Sequence, residues 1–292
     1  MDKRPPIPSG MKRSIRQRCG FGCVVCGLPI YEYEHIDGWA NTKQHEEDRI
    51  VLLCKRHHHE KTNGLLPGHL VEEFSESPLN LRSGESTPYS LWFSGERYEF
   101  DVGTNTFTGL LSSYGIVQPV RIDGTGLLSA RLEDNHYMLT LHIADEGGRE
   151  VLTIVDNELT FSALVYDVEL VGHRLILRDG YRKILIDIEF QPPAGVKIRR
   201  GRFLRNGIEL LVTENWSSIL NSRTLLSGNS AENCWIGLAI GRDSKHIVSA
   251  YRSGDVTREG WDRRGAIRWA RERAREMQDE TIDEIAGLGP LE

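Results

Sequence analysis

The sequence predicts an α+β protein laid out in four stretches: a small cysteine- and histidine-rich N-terminal module (1–74), a linker (75–90), a larger mainly-β region (91–255) and a C-terminal amphipathic helix with its tail (256–292). Three observations predict it. Four of the five cysteines fall within the first 54 residues. Short, β-branched, partly alternating runs separated by turn dipeptides fill the middle of the chain. From Thr257 the apolar residues recur at a helical period.

The N-terminal module opens on a basic arm. Residues 1–20 carry Lys3, Arg4, Lys12, Arg13, Arg16 and Arg18 against Asp2 alone, a local charge of +5 in a chain whose formal net charge is -6. Arg13, Arg16 and Arg18 are the candidates for neutralising phosphates. The arm has no apolar stretch of signal-peptide kind, and the longest apolar run, Ile50 to Cys54, is far too short for a bilayer. A cytoplasmic protein without a membrane partner is the expectation. Cysteines there read as metal ligands rather than disulfides.

Downstream, "SESPLNLRSGESTPYS" (75–90) has no hydrophobic period and reads as a linker. "HYMLTLHI", "REVLTIV", "LVYDVELV", "HRLILRD", "KILIDIEF" and "GIELLV" read as strands. Turn signals at Gly147-Gly148, Asp156-Asn157, Gly172-His173, Asp179-Gly180 and Asn206-Gly207 divide them, so tight hairpins are expected. An antiparallel meander folded into a sandwich or barrel is the predicted architecture. A β-solenoid is the alternative, suggested by the Asn- and Gly-rich "SGNSAENCWIGLAIG" (227–241). The terminal helix, Thr257 to about Glu284, places Trp261, Ile267, Ala270, Ala274 and Met277 near one face. Its arginines and acids are nearly balanced, which favours packing on the β region or on a second subunit over binding DNA.

Two ligand pairs carry the chemistry. Cys23-x2-Cys26 presents two thiolates to one ion, and Cys54-x2-His57 presents a thiolate and an imidazole. Three sulfurs and one nitrogen suit tetrahedral Zn2+ in a closed, structural site, and a module this small gains stability from such a staple. Cys19 is a neighbour of the set. The zinc set leaves Glu34, His35, His58 and His59 unused. "YEYEHI" reads as a strand ending near Asp37-Gly38, "RIVLLC" as a second strand, and "KRHHHEKTNG" as a short helix stopped at Asn63-Gly64. Adjacent helical residues point about 100° apart, so His57 can face the zinc while His58 faces the strand that carries Glu34 and His35.

From Arg18 to Leu66 the chain resembles the HNH endonuclease family with its ββα-metal fold, on Cys23-x2-Cys26, Glu34-His35-Ile36, Ile50 to Cys54, and Cys54-x2-His57-His58 followed by Lys61. The resemblance implies that His35 is the general base, that Glu34 and His58 hold a catalytic divalent ion such as Mg2+ or Mn2+, and that Lys61 neutralises a phosphate oxygen. The family usually has an asparagine before the second strand, where it orients the catalytic histidine. Arg49 stands there instead, and it, Asn41, Asp48 and His45 are the candidates to support His35. The implied function is hydrolysis of phosphodiester bonds in DNA, and a nuclease joined to a β region suits a restriction or phage-defence effector. The alternative is a zinc-dependent nucleic-acid-binding, sensor or assembly protein with a degenerate module. A homo-oligomer, or a partner protein bound through the β region and the terminal helix, is the further expectation.

Overall fold

The computed structural model describes residues 4–286 except 135, 243, 245–247 and 255, with side chains as far as Gln278. Lys3 of the basic arm and the tail beyond 286 lie outside the described residues. The fold is mixed, 23% helix and 42% strand, with a large multi-strand sheet region, a C-terminal helix and no barrel that closes among the described residues.

The chain divides into two compact units along lines other than those expected from composition: residues 1–92 with 150–187, and residues 93–149 with 188–292. The first unit begins with helix α1 (Ser9–Arg18). A hairpin of β1 (Glu32–His35) and β2 (Ile50–Leu53) follows, with the short helix α2 (Trp39–Thr42) in its connection. His35 pairs with Ile50, Glu34 with Val51, Tyr33 with Leu52 and Glu32 with Leu53. Every residue of β2 is buried. Helix α3 (Lys55–Thr62) leaves β2 directly through Cys54, and α4 (Gly68–Glu76) and α5 (Leu79–Ser83) complete the module. Its core joins Ile15, Val24, Ile36, the whole of β2 and Val71.

Residues 75–90 are not a free linker. Asn80, on α5, is buried and donates from Nδ2 to the carbonyls of Gly20 and Gly27, both at 2.9 Å. Thr87 donates to the carbonyl of Cys26 at 2.7 Å. The amide of Ser86 bonds Phe161, and Tyr89–Ser90 adds a strand to Glu158–Phe161. The segment is polar because its side chains satisfy buried backbone groups of other elements, which periodicity does not register.

Arg16 ties α1 to the later part of the same unit. It is 3% exposed. Its Nε and Nη2 reach the two carboxylate oxygens of Asp167, each at 2.9 Å, and its Nη1 reaches the Tyr33 hydroxyl at 3.0 Å. Arg178 donates to the same carboxylate at 2.9 Å and Arg13 lies 3.5 Å from it. Arg18 donates to the carbonyls of Glu47 and Ile50. All three arginines expected to bind phosphate have partners within the fold, but only Arg16 is buried, where a guanidinium requires a counter-charge and Asp167 supplies it; Arg13 and Arg18 are half-buried.

In the second unit the expected meander is present in two runs. Ile116–Ile122, Thr125–Glu133 and His136–Ala144 pair antiparallel in order. Gly195–Arg205, Ile208–Val212, Ser217–Ile219 and Thr224–Leu226 do the same. Asn206 and Gly207 both have positive φ, 49° and 75°, as a two-residue hairpin turn requires. In the first unit, by contrast, Asp179-Gly180 is no turn, since the strand Arg174–Gly180 includes both and the chain reverses at Tyr181-Arg182. The solenoid alternative fails as an architecture, yet its segment is where the pairing turns parallel: Ser230–Glu232 runs parallel to Asn105–Leu110, and Ile236–Ile240 to Ile116–Ile122. Helix α6 (Arg263–Ala286) starts later than expected and buries Ala266, Ala270 and Ala274, the last two against Trp216 with Leu211, Leu225 and Trp269 packed around them.

Candidate metal centre and adjoining acid–histidine site

The knuckle between α1 and β1 places the first ligand pair. Gly27, at φ 73°, lets the chain fold back so that its amide bonds the Cys23 carbonyl at 2.7 Å while the Cys23 amide bonds Leu28 at 2.9 Å. A Cβ on Gly27 would sit 2.2 Å from Asn80 Oδ1 and 2.5 Å from Thr87 Oγ1, so α5 and Thr87 close over the knuckle. Cys54 at the end of β2 and His57 in the first turn of α3 supply the second pair.

The four ligand atoms converge. Cys26 Sγ lies 3.7 Å from Cys54 Sγ, and His57 Nδ1 lies 3.3 Å from Cys23 Sγ and 3.2 Å from Cys54 Sγ. All four lie within 4.8 Å of one another, close enough to bind one metal ion, and they are the single such group among the described residues. The hydrogen bond from Cys26 pulls the Cys23 thiol down to about 4 and pushes Cys26 up, two sides of one shared proton. Cys19 stands apart: burial pushes its thiol up to about 11, as for a core cysteine. Glu60 Oε2 lies 3.9 Å from His57 Nε2, on the side of the ring away from the sulfurs.

About 100° round α3 from His57, a second constellation faces β1. His58 Nε2 lies 3.0 Å from Glu34 Oε2, and its Nδ1 is 3.7 Å from Glu32 Oε2. Lys61 donates to Glu34 Oε1 at 2.5 Å and to the His35 carbonyl at 2.8 Å. Alternation along β1 puts Glu32 and Glu34 on one face of the hairpin and His35 on the other. The structure thus joins Glu34, His58 and Lys61, and joins His35 to them through its backbone alone.

The His35 ring lies among groups of its own and is 3% exposed. Arg4 Nη2 is 2.9 Å from Nδ1, His45 Nδ1 is 3.2 Å from Nε2, and His45 Nε2 is 2.8 Å from the Pro5 carbonyl. A guanidinium can only donate and a carbonyl can only accept, so the chain has one direction when both rings are neutral. Arg4 donates to His35 Nδ1, His35 Nε2–H donates to His45 Nδ1, and His45 Nε2–H donates to Pro5. Trp39 caps the group, 5.3 Å from the His35 ring, 4.9 Å from that of His45 and 5.0 Å from the Arg4 guanidinium. Burial first, then the charges of Arg4 and His45, hold the His35 imidazole below its ordinary range.

Of the residues expected to support His35, His45 alone touches its ring. Arg49 instead clamps Asp37 through two 2.8 Å hydrogen bonds and pairs with Glu72. Asn41 donates to the Asp37 carbonyl at 2.7 Å, Asp48 is exposed, and His59 meets Asn63. Arg4, Trp39, Glu32 and Asn80 were not singled out as site residues from the sequence. Only Arg4 left a signal there, as one charge of the basic arm. No family model, curated protein or solved structure matches this chain.

Proposed function

We propose that the N-terminal unit is a metal-dependent endonuclease of the HNH kind, hydrolysing phosphodiester bonds in DNA around a structural zinc. The observation that carries the reading is the 3.0 Å approach of Glu34 and His58 on a hairpin and helix stapled together by Cys23, Cys26, Cys54 and His57. A tetrahedral Zn2+ at its usual bond lengths sets two sulfurs about 3.8 Å apart and a sulfur and a nitrogen about 3.5 Å apart. The separations of 3.7, 3.3 and 3.2 Å fit that figure. An octahedral Mg2+ sets adjacent ligand atoms about 3.0 Å apart, which Glu34 Oε2 and His58 Nε2 match. When bound, such an ion or Mn2+ would stabilise charge on the scissile phosphate and the leaving 3′ oxygen.

The chain's own groups do the rest. Lys61 holds the Glu34 carboxylate in place. His35 takes a proton from water as the water oxygen bonds to phosphorus and the bond to the 3′ oxygen breaks. A second reading, a zinc-folded module that binds nucleic acid without cutting, is favoured by one observation: both His35 ring nitrogens already have partners.

Nicking of supercoiled plasmid with added Mg2+ or Mn2+ tests the proposal. Wild type should cut, and His35→Ala should lose roughly 10²–10⁴-fold in rate, the usual worth of a general base. His58→Ala should lose activity that raised Mn2+ partly restores. Both variants should keep their zinc. Zinc-loaded protein that cuts neither DNA nor RNA with any divalent ion, both as wild type and as Arg4→Ala, would leave the non-cutting module.

A further inference from the structure

The near balance of charge on α6 hides a segregation. Arg264, Arg268, Arg271 and Arg275 recur at helical spacing, and at about 100° per residue they fall within an arc of roughly 60°. All four are exposed and line one surface groove with Ile267 and Glu272. None has a hydrogen bond or ion pair among the described residues, whereas Arg263 pairs with Glu209 and Arg273 with Glu276 on other faces. The buried alanines fix the helix so that this row faces outward. Four guanidinium groups without a partner among the described residues, in a line about 16 Å long, match a linear polyanion, and their planar forks suit phosphate oxygens.

We propose that this arginine row is a sequence-independent binding surface for the phosphate backbone of a nucleic acid, separate from the Glu34–His58 site and independent of whether that site cuts. The test is fluorescence anisotropy of a labelled DNA duplex against the full chain over a series of KCl concentrations, with no divalent ion added. Changing all four arginines to Gln preserves helix propensity. The slope of log affinity against log salt should flatten by about 0.9 for each phosphate no longer neutralised, about 3.6 in all. Arg273→Gln should leave it unchanged. An unaltered slope in the fourfold variant, with its circular dichroism intact, overturns the proposal. So does labelled polyglutamate binding as tightly as DNA through the same four residues, which would make the partner an acidic protein.

A different observation carries a second inference, which rests on His35 being the base. The arm Arg4–Pro8 occupies the lone pair that a base must offer to water, since Arg4 donates to His35 Nδ1 and His35 Nε2 carries its proton toward His45. Ile7 packs on the module core. Pro5, Pro6 and Pro8 stiffen the arm and remove its amide donors. We infer that the arm is an autoinhibitory strap, with Arg4 as its latch on His35. Diethylpyrocarbonate labelling at fixed pH, read by peptide mass spectrometry with exposed His69 as internal reference, should modify His35 slowly in wild type. Labelling should be at least tenfold faster in Arg4→Ala and slow again in Arg4→Lys. Nicking by Arg4→Ala should rise in parallel. Equal labelling of His35 in wild type and Arg4→Ala overturns the strap whatever the cleavage result. Faster labelling without cleavage by either protein upholds the latch on His35 and removes the base.

Discussion

Removing the Arg16 side chain should loosen the N-terminal unit. Arg16 meets Asp167, itself 0% exposed, with two hydrogen bonds of 2.9 Å. Breaking a buried pair by removing one partner typically costs about 3–5 kcal/mol, because the other charge is left buried and unpaired. Here Arg178 stays at 2.9 Å and Arg13 at 3.5 Å, so Arg16→Ala should cost near the low end, about 3 kcal/mol. Asp167→Ala leaves three arginines facing one another and should cost more. Arg13→Ala removes a longer ion pair from a side chain 28% exposed and should cost no more than about 1 kcal/mol. Hydrogen exchange measures the effect where it acts. A loss of about 3 kcal/mol speeds exchange through unit opening by roughly 150-fold at the amides of Ile15 and Tyr33. Replacing both partners with apolar residues, Arg16→Met with Asp167→Leu, should recover much of the loss. Exchange in Arg16→Ala within a fewfold of wild type, or a steeper loss in Arg13→Ala, would refute the reasoning.

Cys26→Ser and Cys54→Ser should each remove the bound metal, measured by elemental analysis, and unfold the module around α1, β1 and α3, since structural ligand sets bind in step with folding. Asn80→Ala leaves the Gly20 and Gly27 carbonyls without donors and should cost about 1–3 kcal/mol; an unchanged melting temperature and unchanged metal release to a chelator would contradict this. In the second unit, burial alone would raise Glu209, but hydrogen bonds from Arg263 and Arg202 outweigh it and hold the carboxyl below its ordinary value. Its contribution is therefore complete above the unfolded value near 4.5 and is lost as pH falls through the lower folded one. Arg263→Gln should make urea stability of that unit less dependent on pH below about 4.5.

What the sequence revealed was local. The pairs Cys23/Cys26 and Cys54/His57 were legible because each spacing lies within one knuckle or one helical turn, and the hairpin and α3 because their period and turn residues act over a few positions. The Glu34–His58 approach followed once those pieces were joined. Partners far along the chain were not legible. Nothing near Arg16 announces Asp167, 151 residues away, and a basic arm looks the same whether its charges meet phosphate or a buried carboxylate. Asn80 sits in a segment whose polarity suits a linker equally well. Parallel pairing at Ile236–Ile240 leaves no turn signal, since the strand it joins lies more than a hundred residues earlier.

The division of the first unit into residues 1–92 and 150–187 bears on the order of events during synthesis. At the usual 5–20 residues per second, roughly 5–20 s separate the appearance of residue 92 from that of residue 187. Until Asp167 is made, α1 waits with its guanidinium lacking the carboxylate that completes it, while the ligand pairs are already out and able to take up metal. A nascent chain would hold its ion before it had a finished unit to hold it in. Truncation between residues 92 and 167 should yield a metal-loaded but soft fragment, so shortened genes aimed at the N-terminal module alone need residues 150–187 joined back to it.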